Sequence, residues 1–332
     1  MAAPSATTHP TLIDWAQRLD PNGRIAAIAE LFTQNNAILE DAVYMEGNLP
    51  TGHRTTIRTG IPAGTWRRLN YGIAPQKSSV AQVTDTIGML ENYAEVDKEL
   101  ADLNGNTAEF RASEDMPILE GMSQTLATTL FYGDTDVDPE KFLGLAARYP
   151  SLGDPSGKVG TSYMNQVISA AGSTANVQTS MWLIVWGPNT VHMIFPKGSK
   201  VGIQSKDLGE VTLIDSAGGQ LQGYRTHYQV KAGLCVRDWR YVVRIGNVEG
   251  FTTAFDHKLL IQAYNTIPNF GMGRAVFYCN RNVKNRIDIA ACDKSNGFNT
   301  IEDRFGKPVT TFWGIPIKMC DALIQTEAVL TT

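Results

Sequence analysis

No apolar run in this 332-residue chain approaches the roughly 18 residues a membrane-spanning helix needs, and its start, MAAPSATTHP, has neither the basic nor the apolar stretch of an export signal. Neither a membrane anchor nor export is expected, and the cytoplasm is the expected compartment. Cysteine is scarce. Cys235, Cys279, Cys292 and Cys320 are scattered without CxxC spacing, which argues against a disulfide framework or a paired-cysteine zinc site and suits reduced, buried thiols. The five histidines lie far apart, and no GxSxG, Walker loop or HExxH occurs. Catalytic residues, cofactors and metals are therefore all expected to be none, with a soluble hydrolase built from distant residues kept as an alternative. Neither charge dominates: 29 Lys and Arg stand against 33 Asp and Glu, so the net charge of -4 gives no global reason to bind nucleic acid tightly.

What is present is a chain 43% hydrophobic, long enough for a large core, with charge segregated locally. Helical patterns run over Thr11 to Arg18 and Arg24 to Leu39, separated by the turn signal DPNG. Residues 47–79 then carry Arg54, Arg58, Arg67, Arg68 and Lys77 with no acid at all. Their Thr, Ile, Trp and Tyr content predicts two strands joined by a turn at Gly60 to Gly64. Such a hairpin has too little apolar face to stand alone, so it is expected to rest on another molecule. Exposed Arg54, Arg58, Trp66, Arg67 and Arg68 are its candidate contact residues, with a solvated hairpin and a nucleic-acid finger as alternatives. Residues 80–104 reverse the sign. Asp85, Glu91, Glu95 and Asp97 head an acidic run that complements the hairpin, either within one subunit or between copies, where it would set orientation and register.

The longest helix the sequence offers is Thr107 to Tyr132. Leu119, Met122, Leu126 and Leu130 recur at helical spacing, and Gly133 follows as a C-cap. Pro117 interrupts the pattern, predicting a bend or a split into two helices with Asp115 capping the second. Asp134, Asp136 and Asp138 have the spacing of a calcium loop, but Pro139 and Leu145 replace the required Gly and Glu, so a turn is expected instead. Tyr163 to Ala171 reads as a short helix. From Ser180 strands dominate: Met181 to Trp186 with Val191 to Phe195 as its hairpin partner, then Glu210 to Asp215 and Leu221 to Val230 joined by a turn at Ser216 to Gly219. Leu234 to Val248 reads as one half-buried strand, with Asp238, Arg240 and Arg244 on its charged face. His192 is expected to be an ordinary strand residue. Helices are expected at Lys258 to Ile267 and Val283 to Cys292, a strand at Ala275 to Cys279, and two strands around a bend at Gly314 to Pro316.

The phrases TLATTLFYGD after the long helix, DPEKFLGLAARY, GLCVRDWRYVVRIGNV and GIPIKMCDALIQTEAV resemble the major capsid proteins of short-tailed bacteriophages, with the Hong Kong 97 type of fold. The resemblance implies an α+β architecture. Residues 1–46 would be an N-terminal arm, 47–79 the extended hairpin loop and 80–133 a peripheral domain with spine helix 107–132. Residues 134–328 would be mainly an axial domain, with strands near 234–248 and 309–330 returning to the peripheral domain or joined by a permuted connection. It further implies a structural protein, not an enzyme, assembling in the bacterial cytoplasm into hexamers and pentamers of an icosahedral head around double-stranded DNA. An encapsulin-like compartment shell sharing the fold is the alternative. Implied partners are other copies of the chain, a separate scaffolding protein (the short arm has no room for a fused one), a cement protein, a portal at one vertex, and packaged DNA held without sequence-specific binding. The loop tip carries arginines, with Lys77 at its base, so no covalent cross-link through a tip lysine is expected.

Overall fold

The computed structural model of the chain describes residues 33–105, 107–152, 166–214, 218–249, 255–292, 299–304 and 307–331, together with Pro10 and Asp14. The pattern expected at 11–18 (apart from Asp14), the part of the 24–39 pattern before residue 33, and residues 163–165 of the helix expected at 163–171 lie outside these residues. In chain order come α1 (Ala37–Asp41), β1 (Tyr44–Glu46), β2 (Gly52–Gly60), β3 (Ser79–Thr86), β4 (Gly88–Asp97), α2 (Lys98–Ala101), α3 (Thr107–Tyr132) and α4 (Leu145–Arg148). Then follow β5 (Val167–Ser169), β6 (Gln178–Trp186), β7 (Val191–Phe195), β8 (Gln204–Ile214), β9 (Gln220–Val236) and β10 (Val242–Glu249). The chain closes with α5 (Lys258–Thr266), β11 (Arg274–Cys279), α6 (Arg281–Cys292), β12 (Asn299–Arg304), β13 (Lys307–Phe312) and β14 (Ile315–Met319). This is the α+β class expected from the sequence.

Two compact units divide these elements. The first comprises residues 1–34, 89–127 and 200–231; the second takes 35–88, 128–199 and 232–332. The β8–β9 hairpin thus falls in the same unit as most of the long helix and β4.

In the first unit β8 pairs antiparallel with β9, from Gln204 opposite Gln229 to Ile214 opposite Gln220, and β4 lies on the other side of β9. Met122 of α3 is buried against Ala94, Tyr228 and Val230, flanked by Ile118, Leu119 and Leu126, which is the stripe read from helical spacing. Near the start of α3, Phe110 closes a second cluster with Val96, Leu100 and Ala101. Each such fully buried side chain contributes about 1.5–3 kcal/mol, so α3 is held by its apolar face rather than by propensity. It is one helix despite Pro117, and Asp115 caps nothing separate. Proline removes only the bond to the Ser113 carbonyl and stands on the exposed side, so packing on either side of it carries the helix through.

In the second unit β6 is the central strand. All nine of its residues are buried: β10 and β11 pair antiparallel with its two edges, while Leu260, Val283 and Ile287 cover one face and Phe131 and Tyr149 pack against Trp182 on the other. That double coverage explains the continuous apolar run. Met181, Leu183 and Val185 face a core that includes Val243 and Ile245 of β10, Leu260 of α5, and Val283 and Ile287 of α6. The sequence-based pairing of β6 with β7 as a hairpin is not what forms. The two strands touch only at Trp186 and Val191, whereas β7 runs antiparallel to β9 and parallel to β1. Gly187 to Thr190 make a tight turn, Thr190 N–H donating to the Gly187 carbonyl, that carries the chain out of register with β6.

Two further expectations change. Val167–Ser169 is a strand, parallel to β10, not part of a helix. The stretch read as one strand over 234–248 is the end of β9, a turn through Trp239–Tyr241, and β10. Gly133 does follow α3 as its C-cap, its N–H bonding the Thr129 carbonyl at 2.7 Å without a left-handed φ, and Gly144 N–H bonds the Gly133 carbonyl at 2.8 Å. Glycine is needed there for close approach of two backbones. The bend at Gly314 does form, with φ of 47° at Trp313 and 81° at Gly314 between β13 and β14.

Candidate assembly surface

β2 and β3 form an isolated two-stranded antiparallel ribbon, in register from Gly52 opposite Thr86 to Arg58 opposite Val80. The second strand lies ten or more residues further along than expected, and the connection is not a tight turn at Gly60 to Gly64. Residues 61–78 have no regular structure beyond a turn at Leu69 and Asn70, where Tyr71 N–H bonds the Arg68 carbonyl at 3.3 Å. Pro62 and Pro75 lack the N–H a ladder requires, and Asn70 takes a φ of 67°, so the sequence of this segment disfavours pairing.

Burial falls off from base to tip. At the base Thr55 and Asp85 are buried, and Asn48 fixes Arg54 through two hydrogen bonds of 2.7 Å, its Oδ1 accepting from Arg54 N–H and its Nδ2 donating to the Arg54 carbonyl. From residue 61 to residue 80 every side chain is exposed. Trp66 is fully exposed, Leu69 is 86% and Ile61 83% exposed, interleaved with Arg67, Arg68 and Lys77. Arg54 and Arg58 are exposed on β2. An apolar surface of this size held in water is what a monomeric protein avoids and what a docking surface presents. The five basic and aromatic positions named from the sequence therefore lie on one ribbon and its loop. Beside that ribbon, a cleft of about 700 Å³ is walled by Arg58 and Ile61 and by the turn that carries Arg237 and Arg240.

The acidic positions do not form one outward-facing complement. Asp85 is buried, and its Oδ1 accepts from Arg148 Nη2 at 2.7 Å, with Arg148 also donating to the Leu234 carbonyl at 2.9 Å. This corrects the sequence-based placing of Asp85 among the charges offered to a neighbour. A carboxylate so deep needs a cation at once, and Arg148 is that cation. Glu95 pairs with Arg225 at 2.5 Å, and Arg225 in turn lies over the Tyr93 ring, 5.4 Å from its centroid. Glu91 is exposed, accepts from Gln229 Nε2 and faces His227; the Gln229 amide, with His227 after it, holds its carboxyl below the usual range. Asp97 caps α2, its Oδ1 accepting from Glu99 N–H at 2.9 Å. All four acids thus have first partners in their own chain, and none is brought to the arginines of the ribbon.

Sequence reasoning missed two buried arginines. The sequence singles out Arg148 by no pattern, and Arg244 reads as part of a charged outer face. Arg244 is 4% exposed and donates to Glu327 at 2.8 Å, to the Tyr149 carbonyl at 2.8 Å and to Ser180 at 3.0 Å. The only sequence signal was their position inside otherwise apolar runs.

The family model of the major capsid protein GP7 matches residues 20–331. A chain of the near-atomic structure of bacteriophage Epsilon15 is similar to this one over 100% of both chains, at 34% identity and a TM-score of 0.77. The capsid of bacteriophage JBD30 is similar over 88% of this chain and 92% of its own, at 8% identity and a TM-score of 0.51. The SrpI encapsulin of Synechococcus elongatus aligns over 70% of this chain and 95% of its own, at 9% identity and a TM-score of 0.47. No curated protein matches the chain.

Proposed function

Since the chain belongs to the family of the major capsid protein GP7, with the Hong Kong 97 type of fold, and is the shell protein of a tailed-phage head, we propose that the β2–β3 ribbon and its loop are what joins one copy to the next. The observation that carries this reading is the exposure of Trp66, Leu69 and Ile61 among Arg67 and Arg68, on a segment whose side chains are all exposed from residue 61 to residue 80. Arg54, Arg58, Arg67 and Arg68 would meet acids of a neighbouring copy, the exposed Glu91 first, with the half-buried Glu95 and Asp97 behind it. Each rim pair of this kind contributes at most about 1 kcal/mol, so affinity would come from the buried Trp66 and orientation from the charges.

On this reading residues 47–86 are the extended loop and α3 the spine helix, and copies associate as hexamers and pentamers around double-stranded DNA. A separate scaffolding protein, a cement protein and a portal complete the head. The net charge of -4 suits a wall that must not hold its DNA. The loop offers no tip lysine for covalent locking, and many modest contacts repeated over the shell would take its place. Electron microscopy of the chain co-expressed with its scaffold should show shells or capsomers. A monomer that persists under all conditions, scaffold included, would overturn the assembly reading.

A further inference from the structure

The cleft of about 700 Å³ beside the ribbon follows a strand edge. Thr56, Ile57, Arg58 and Thr59 all line it, although successive side chains of a strand point to opposite faces, so it runs along β2 rather than over one face of it. Among the described residues β2 pairs with β3 alone, which leaves the N–H and C=O groups of its other edge outside any ladder. The opposite wall is the turn of Arg237, Trp239 and Arg240. Arg237 donates to Asn189 Oδ1 at 2.9 Å, and Arg240 grips Asp238 with bonds of 3.0 and 2.7 Å, so both guanidiniums are held in place while remaining exposed. With Arg58 on the near wall and Asp238 as the acid among its lining residues, the cleft is basic.

An acidic counterpart follows α3. Asp134 Oδ1 accepts from Asp136 N–H at 2.9 Å, Asp138 N–H bonds the Asp134 carbonyl at 2.9 Å, and Lys141 N–H bonds the Asp138 carbonyl at 3.1 Å. These bonds fix a compact turn that needs little further ordering on binding. Asp134, Asp136, Asp138 and Glu140 stand against one cation, Lys141, and in their midst Val137 is 75% exposed. Among the described residues none of this turn lines the cleft of its own chain. Its far end is held at the start of β4, where the Glu140 carbonyl lies 3.2 Å from the Cβ position of Gly88.

We propose that the cleft receives the 134–140 turn of a neighbouring copy. The inference rests on the reading of the ribbon as the joint between copies, and it names what the ribbon's inner edge holds. Val137 enters between Ile61 and Trp239, Asp136 and Glu140 meet Arg237 and Arg240, and carboxylate oxygens accept from the N–H groups along the β2 edge. The charges set orientation, and the apolar contact with the strand-edge bonds supplies affinity. Cleft and turn are different patches of one surface, so the contact is heterologous, head to tail, and it closes into a ring where the rotation between copies permits. Hexamers and pentamers are rings of that kind.

The test uses the full-length chain co-expressed with its scaffold, with shells counted by sedimentation and electron microscopy. Arg237→Glu with Arg240→Glu sets acid against acid at every such contact and should lower shell yield at least about tenfold. Asp136→Arg with Glu140→Arg sets base against base and should do the same. All four substitutions in one chain return opposite charges to the contact and should restore shells. Normal assembly by either pair, or a fourfold variant that assembles no better than the pairs, would overturn the docking. If Arg237→Glu with Arg240→Glu assembles normally but loses packaged DNA, the cleft belongs to nucleic acid and the docking is overturned as well. A second measurement needs no change of charge and stands even where a charge variant fails to fold. Ile61→Cys with Val137→Cys, both at exposed positions, should give shells whose subunits join through an inter-chain disulfide on treatment with diamide, while each single variant should not. Shells without that bond would remove the docking and leave the ribbon as the joint, whereas a ribbon that joins nothing shows as an unaltered chain that never forms shells.

Discussion

Arg244 donates from Nη2 to Glu327 Oε2 at 2.8 Å, and neither side chain is more than 6% exposed. Around this pair, Ser180 Oγ and Tyr132 O–H each donate to Glu327 at 2.5 Å, while the Arg244 guanidinium lies 5.1 Å from the Trp182 ring centroid. The pair therefore joins β6, β10, the end of α3 and the C-terminal segment through one carboxylate. Removing one partner leaves the other charge buried and alone. Glu327→Ala and Arg244→Met are each expected to cost about 3–5 kcal/mol, read from the urea midpoint of the isolated subunit.

Two glycine substitutions should differ in sign. A Cβ on Gly144 would stand 2.7 Å from both Gly133 N and the Thr129 carbonyl, backbone atoms that cannot swing aside. Gly144→Ala is expected to destabilise by about 1–3 kcal/mol. Gly121 lies exposed in α3 with nothing within 4 Å of its Cβ position, so Gly121→Ala should stabilise by about 1 kcal/mol. Chemical denaturation of both variants checks the pair.

Stability should fall on the alkaline side. Burial pushes the Cys279 and Cys320 thiols up to about 12 from an ordinary 9.0, and raises the Tyr132 and Tyr278 phenols above their ordinary 10.0, with Glu327 and Asp41 adding to the rise. The folded chain then keeps protons that the unfolded chain releases, so the stabilisation is full below pH 9 and is lost as pH rises from 9 through 12. Each group contributes a slope of about 1.4 kcal/mol per pH unit within its window. Denaturation midpoints between pH 8 and 11 should show the decline, and Cys279→Ala should reduce its slope, whatever the variant's stability at pH 7.

Exposed loop residues should affect assembly without affecting folding. The double variant Arg67→Glu with Arg68→Glu, and separately Trp66→Ala, are expected to leave subunit stability within about 0.5 kcal/mol, because these side chains are exposed. Sedimentation and electron microscopy should show loss of shells in favour of free subunits. Normal shells from the double variant would remove the ribbon from the assembly reading.

The sequence by itself determined the elements whose signal is local. The spacing of Leu119, Met122 and Leu126 specified α3 and the face it buries, the Gly314 bend separated β13 from β14, and the arginine-rich, acid-free run marked the segment that leaves the core. These are consequences of periodicity and backbone geometry, which neighbours in the chain suffice to express. What only the tertiary structure decided is which strands meet and which charges are buried. β6 looked like a hairpin arm and became a central strand between β10 and β11, because pairing is chosen by long-range coverage of both its faces. Asp85 and Arg244 looked like surface charges and became buried anchors, since a charge inside is tolerated only where the fold brings its partner, here Arg148 and Glu327, 63 and 83 residues away along the chain.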